Sequence, residues 1–437
     1  MHPALQPVNL SLLDVTRVKA LRSGSLDHDN VQASPHLAYL RAAAVAGLAG
    51  LISLVLINLS SSRPISLLDS TDQQYMQRAL ARLSALLPYT TTTHVTSNCP
   101  KSTNMSASST TPPSQVLATR EEWRRELQAL PTLEENGNKI PSVFLAHGQP
   151  MLLMPPHLAK NSPMLATLGE IQGPDGLLSQ FLQDLGPVLL QKYSPKAIVV
   201  FSAHFESDGG GIVTDYDENP LLYDYFGFPK EMYDIKFRSS GDSDLAQHVV
   251  ELLHKAGISR SRLTTRKQAR GRDGRGHEGP GLDHGVFVPF KLMFGDQAPI
   301  PIVQVSIPSD LSPLAQRSIG QALEPLRAEG ILIVSGGLTI HTFQDFSAFS
   351  PTTAKPIFHS FEASIISAVS EPDYHERKSK MDSLVKSKGF RESHPREEHF
   401  VPIYIAAGAA NDSEKNDGKK SKLLSGLWGA KTVIFGI

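Results

Sequence analysis

The chain has 437 residues, a formal net charge of −1 and an ordinary globular mixture of 40% hydrophobic and 19% charged residues. Near-neutral charge gives no basis for holding nucleic acid by bulk electrostatics. A single cysteine, Cys99, excludes an internal disulfide framework and any multi-cysteine metal site. The 16 histidines matter more, because imidazole is a common metal ligand and proton carrier.

Residues 1–139 differ in texture from the rest and read as a poorly structured N-terminal extension. From Ala42 to Ile57 the chain is apolar except for Ser53. That run falls short of the about 20 residues that a spanning helix usually needs. A signal anchor, an organelle-targeting piece and a buried helix all fit it. The expected localisation is therefore cytoplasmic, or membrane-anchored or organelle-targeted through 42–57. Tyr75, Met76, Ala79, Leu80, Leu83 and Leu87 recur at helical spacing behind a Ser70 or Thr71 cap, and Pro88 stops the pattern. Residues 89–115 are rich in Thr, Ser and Pro and lack the apolar content for a core, which predicts a disordered linker. Asn58 and Asn104 sit in N-x-S triplets, which matter only in an exported chain.

Residues 140–437 read as a single compact α/β domain. Ser142–Ala146, Ala197–Ser202, Ile302–Ile307, Ile331–Val334 and Thr432–Ile437 are short apolar runs of buried-strand type. Amphipathic helices are expected from about Asp244 to Ala256, from about Ser312 to Ala328, and over Pro356–Val369. Gly257 and Gly330 follow the first two as natural C-terminal stops. This alternation predicts a central mixed sheet flanked by helices. No repeat of fixed period is present.

Three histidines share a local pattern. Val143–Ala146 leads straight into His147, Ile198–Ala203 leads into His204, and Ile331–Val334 leads through Ser335-Gly336-Gly337 towards His341. Ligands of open α/β sheets bind beyond the carboxyl ends of the strands, so such residues can converge despite their separation in sequence. His284 lies between a glycine-rich loop and an apolar run. His399 follows Pro395, which suits a first helical turn, and Glu397 and Glu398, which suit its positive end. His399 is then expected near that helix start, facing inward ahead of Ile403 and Ala406. Three imidazoles on one face with an open opposite face suit a divalent metal, iron and zinc included. The competing reading is structural, since a lone histidine ending a strand is commonly just a hydrogen-bonded residue. Composition and spacing leave both open and name no reaction.

The segments FLAHGQP, SAHFE, YDYFGFPKEMYDIKF, GLDHGVFVPF and HPREEHFVP occur in this order. Together they resemble the DOPA-dioxygenase subgroup of class III extradiol ring-cleavage dioxygenases, which is similar to the catalytic subunit of protocatechuate 4,5-dioxygenase. The resemblance covers about residues 140–437. It implies metal ligands at His147, His204 and His399. The wider class carries a glutamate at the third position, which makes Glu398 the alternative. It implies His341 at or beside the metal, as acid/base residue or further ligand, and His284 as a proton shuttle contacting substrate or oxygen. Gln149, Phe205 and Phe287 depart from the commoner residues of these motifs, and the two phenylalanines are expected to reshape the pocket.

The implied activity is a metal-dependent extradiol ring opening of a catechol such as DOPA, with insertion of both atoms of dioxygen. Fe(II) is the expected metal for turnover and Zn(II) a ready occupant, because zinc ranks above ferrous iron in intrinsic affinity. The implied partners are a small catechol and dioxygen, with no nucleic acid. A zinc hydrolase on the same scaffold and a non-catalytic binding relative are the rival readings. His248 and His254 are expected on the flank of their helix, and His394 as a cap of the final motif's helix. The basic stretch Arg260–Arg275, with His277 beyond it, and the polar run Asn411–Lys422 read as exposed inserted loops.

Overall fold

The computed structural model describes residues 117–264, 280–410 and 420–437. The apolar run 42–57, the helix expected over 71–87, the 89–115 linker, the basic stretch from residue 265 with His277, and residues 411–419 of the polar run lie outside the described residues. Among the described residues no helix is long and apolar enough to cross a membrane.

Eight strands form one mixed sheet: β1 (Ser142–Ala146), β2 (Ala197–Ser207), β3 (Ile212–Val213), β4 (Arg262–Leu263), β5 (Ile302–Pro308), β6 (Ile331–Gly337), β7 (Ser421–Ser425) and β8 (Thr432–Phe435). Their order is β4-β3-β5-β2-β6-β1-β8-β7. The four central strands are mutually parallel, and antiparallel pairs lead out to both flanks. Alternate residues feed two cores. Val143, Leu145, Ile198, Val200 and Val334 face one, while Phe144, Val199, Phe201, Val305 and Ile333 face the other. Burial on both faces explains why these strands read as unbroken apolar runs.

Helices cover each face. Of those that bear on the site or the domain edge, α1 is Arg120–Gln128, α2 is Leu177–Tyr193, α3 is His284–Phe294 and α4 is Pro402–Ala409. Helices α2 and α3 pack together over one core, and α4 lies against β6 and β1 over the other. The expected helix over Ser312–Ala328 divides into Pro313–Ala322 and a 3-10 turn at Glu324–Arg327. Pro325 explains the break, since it has no N–H to continue the ladder. The helix expected from Pro395 begins instead at Pro402, and residues 395–401 form turns. Pro402 therefore takes the first-turn role assigned to Pro395.

Parallelism puts the carboxyl ends of β1, β2 and β6 along one edge of the sheet. Strand β2 runs further than its apolar stretch suggested, to Ser207, but its pairing with β5 shifts between Ser202 and Glu206. This bulge takes Ala203, His204 and Phe205 out of the ladder and re-aims His204. Strand β6 ends in Gly336-Gly337, and Leu338 donates its N–H to the His399 carbonyl at 2.8 Å. A Cβ on Gly337 would lie 2.2 Å from that carbonyl oxygen and 2.7 Å from the Phe144 ring. Glycine here is what lets the His399 segment lie directly on the end of β6.

Helix α1 lies before residue 140 yet packs into the same core as the sheet, with Trp123 and Leu127 buried. A capping box between Thr119 and Glu122 starts it. Arg120, Arg124 and the Trp123 indole N–H all bond the Asp184 carboxylate on α2. We propose that the catalytic domain starts near residue 117 rather than at 140. Replacing Trp123 with Ala should then lower unfolding free energy by about 3–5 kcal/mol in denaturant titrations. Gly337→Ala should destabilise by about 1–3 kcal/mol in the same assay, because neither the carbonyl nor the packed Phe144 ring can yield freely.

Candidate metal centre

His147 follows β1 directly. Its backbone N–H is held by the Gly337 carbonyl at 3.1 Å, and its Nδ1 lies 2.7 Å from the Gly148 carbonyl. A carbonyl only accepts, so Nδ1 carries the proton and Nε2 keeps a lone pair. That Nε2 is buried and has no hydrogen-bond partner. His204 sits on the β2 bulge, and its Nε2 is likewise buried without a partner. His284 opens α3, where Asp283 caps the helix by accepting from the Gly285 N–H. His341 lies beyond β6, with its backbone N–H donated to the Ser393 carbonyl. His399 lies in the turns before α4, buried, and its Nδ1 is 3.0 Å from Glu398 Oε1.

All five rings meet. Centroid separations are 5.2 Å for His147–His204, 5.2 Å for His147–His399 and 4.8 Å for His204–His399. His284 is 4.1 Å from His204, and His341 stacks on His399 at 3.5 Å. Ligand atoms of His147, His204 and His284 lie within 4.8 Å of one another, as do those of His341, Glu398 and His399. The residues expected as ligands and those expected as proton carriers thus share one cluster.

Burial governs the charge of these rings. It pushes His147 down to about 3 and His341 to about 4, with the nearby His284 adding to both, and it takes His204 and His399 well below the usual imidazole range. Burial acts against His284 too, but the Asp224 carboxylate outweighs it and raises that imidazole above its ordinary value. Asp224 Oδ1 accepts from both the His284 backbone N–H at 2.9 Å and its Nδ1 at 2.8 Å. Burial opposes ionisation of Asp224 in turn, yet His284 and His204 hold its carboxyl well below the carboxylate range. Burial pushes Glu398 up.

Neutral imidazoles are what a divalent metal takes. Two buried, unpartnered ring nitrogens facing a cluster of further imidazoles fit such an ion. The contacts behind the rings fit as well, since His147, His204 and His399 each turn their other nitrogen towards a carbonyl or carboxylate. Below the cluster, Asp283 accepts from Ser202 Oγ at 2.6 Å and from Gln304 Nε2 at 2.7 Å, and burial pushes it up to about 7. Ser202 Oγ also accepts the His204 N–H at 3.1 Å. This network fixes the bulge on β2 to the start of α3.

The sequence reading singled out neither Asp224 nor the Asp283–Ser202–Gln304 network. The available signal was an acidic residue inside the aromatic run Tyr223-Asp224-Tyr225. Among the described residues, His248, His254 and His394 take no part in the ring cluster. His248 faces Glu329, and His254 bonds the Ser261 carbonyl on the far side of its helix. His394 is buried and caps the preceding helix, Lys388–Ser393, with its Nε2 at the Thr339 carbonyl. A cavity of about 250 Å³ opens beside His204, lined by Phe205, Glu206, Leu222, Pro280, Gly281 and Asp283. Phe287 is fully buried against Tyr223 and Tyr225, behind His284.

Comparison with known proteins places this geometry. Residues 153–436 match the family described as "Catalytic LigB subunit of aromatic ring-opening dioxygenase". His147 lies just before the matched stretch, and the other four clustered histidines lie within it. The chain is 41% identical to a "4,5-DOPA dioxygenase extradiol-like protein" of Schizosaccharomyces pombe, over 72% of this chain and 97% of that one. It is 31% identical to a "4,5-DOPA dioxygenase extradiol" of Beta vulgaris, over 67% of this chain and 93% of the relative. A protein of the same name from Escherichia coli K12 is 28% identical over 64% of this chain and 88% of its own length. The mixed α/β sheet, the ordered motifs and these matches agree: the chain belongs to the family of the catalytic LigB subunit of aromatic ring-opening dioxygenases.

Proposed function

We propose that this enzyme is a metal-dependent extradiol dioxygenase that opens the ring of a catechol such as DOPA, inserting both atoms of dioxygen. The observation that carries this reading is the cluster of five imidazoles at one sheet edge, two of them presenting buried, unpartnered Nε2 atoms. His147, His204 and His399 would hold the metal. Their partners at the Gly148 carbonyl, Asp224 and Glu398 keep the other ring nitrogen occupied. Glu398 is then the carboxylate that orients His399 rather than the third ligand. Bound there, a divalent metal supplies one centre at which the two catechol oxygens and dioxygen can meet.

The proton work falls to His284 and His341. His284 Nδ1 is engaged by Asp224, which leaves Nε2 to accept a catechol proton and keeps a negative charge behind the imidazolium. His341, neutral and held by its stack on His399, is the second carrier on the opposite side of the cluster. Both oxygen atoms end in the product, so the overall reaction needs no external reductant. Family membership and relatives named for DOPA cleavage support oxygenation over the hydrolytic rival. Fe(II) is the proposed working metal, and Zn(II) would compete for the same nitrogens.

The test is anaerobic Fe(II) loading of the full chain, followed by oxygen uptake with L-DOPA and a panel of smaller catechols. Uptake with a yellow ring-opened product is expected, abolished by chelation, restored by Fe(II) and not by Zn(II). His147→Ala, His204→Ala and His399→Ala should each lose metal and activity together. His284→Gln and His341→Gln should retain metal and lower kcat by about 10²–10⁴-fold. Tight metal binding with no oxygen uptake on any catechol would overturn the reading.

A further inference from the structure

Asp224 faces two of the clustered histidines at once. Its Oδ1 lies 2.8 Å from His284 Nδ1, and its Oδ2 lies 3.5 Å from His204 Nδ1. The carboxylate is itself firmly placed. Tyr223 and Tyr225 on either side are buried and donate their hydroxyls to the Ile235 carbonyl at 2.6 Å and the Met232 carbonyl at 2.7 Å. The Leu222 N–H bonds the Leu282 carbonyl and the Leu282 N–H bonds the Pro220 carbonyl, each at 2.8 Å, two residues short of His284. Oδ1 takes the His284 backbone N–H as well, so the first residue of α3 is gripped through main chain and ring together.

We infer that Asp224 is a shared positioning residue, one carboxylate that sets the tautomer and aim of both the ligand His204 and the proton carrier His284. The inference rests on the proposed function for the roles of those two histidines. An ionised carboxylate only accepts hydrogen bonds. His284 must therefore turn a protonated Nδ1 to it, and the charge of Oδ2 at 3.5 Å from His204 Nδ1 favours the same tautomer there, with Nε2 of each ring presented as a lone pair to the cluster. The unpartnered Nε2 of His204 is the outcome this requires. An amide cannot substitute. Asparagine offers one accepting oxygen and one donating nitrogen, so it can satisfy His284 or His204 but sets its N–H₂ group against the N–H of the other.

The experiment compares wild type with Asp224→Asn and Asp224→Glu as full chains. Co(II) serves as the spectroscopic probe of the site, with affinity read by chelator competition. Asp224→Asn should bind Co(II) about 10–100-fold more weakly. On the Fe(II) enzyme it should lower kcat by about 10²-fold or more, with KM for the catechol moving much less. Asp224→Glu, which keeps both acceptors, should recover part of each loss. Near-wild-type Co(II) affinity and kcat in a folded Asp224→Asn variant would overturn the inference. A second measurement needs no variant. Nitrogen-15 spectra of histidine-labelled, metal-free wild type should show His204 and His284 protonated at Nδ1, and Nε2–H tautomers at both would overturn the inference even if Asp224→Asn does not fold. If wild type consumes no oxygen with any catechol, the proposed function falls while the cobalt affinities and tautomers still decide the role of Asp224.

Discussion

Five imidazole rings in contact inside a protein cannot all carry charge, because each protonated ring would be desolvated and repelled by its neighbours. This constraint shapes the rest of the site. Burial keeps His147, His204, His341 and His399 neutral, and their mutual repulsion adds to the effect. In His284 the Asp224 carboxylate outweighs burial and raises the imidazole instead. The result is a set of neutral nitrogen donors with one carboxylate-backed imidazole at its margin. That asymmetry supports the proposed division between residues that would hold an ion and a residue that would move protons.

A cluster of this kind needs a rigid frame, since no ring is fixed by covalent neighbours of its own. The frame is the carboxyl edge of the four parallel strands. Strand β1 supplies His147 through a backbone bond to Gly337 at the end of β6. The bulge on β2 supplies His204, and the Ser202–Asp283–Gln304 network ties that bulge to β5 and α3. The missing side chain at Gly337 lets the turn carrying His399 rest on the same edge. Each device brings a segment distant in sequence within reach of the others. None of them would work on a sheet whose strands ended on opposite edges.

Much of this was legible in the sequence. The central strands show as short apolar runs because both their faces are buried, and His147 and His204 show because they follow such runs directly, with His341 a few residues beyond a third. Other features leave a weaker local mark. Strand β2 was ended at Ser202, since a bulge leaves no mark in a hydrophobic pattern. His284 lies beyond a glycine-rich loop, and the Asp283 cap ahead of Gly285 together with the apolar run after it starts a helix there. The helix at His399 was started at the wrong proline, because Pro395 and Pro402 offer the same local signal. Helix α1 was assigned to the extension, since the bond from its Trp123 and arginines to Asp184 spans about 60 positions and has no periodicity to betray it.

Asp224 is the sharpest case of what periodicity cannot carry. It lies 60 residues from His284 in sequence, inside an aromatic run that reads as core packing. Only the docking of the Leu222 and Leu282 backbones brings it to the rings. Glu398 stands beside His399 from an adjacent position, with its Oε1 3.0 Å from the His399 Nδ1. The two carboxylates approach the cluster from different segments, and each faces an Nδ1 atom. A buried carboxylate beside an imidazole is costly to leave unpaired, so each such pair constrains the ring as strongly as the ring constrains it. Orientation of the nitrogen donors is therefore settled in the protein's own polar contacts before any ion arrives, which is the condition for a site that binds metal with little reorganisation.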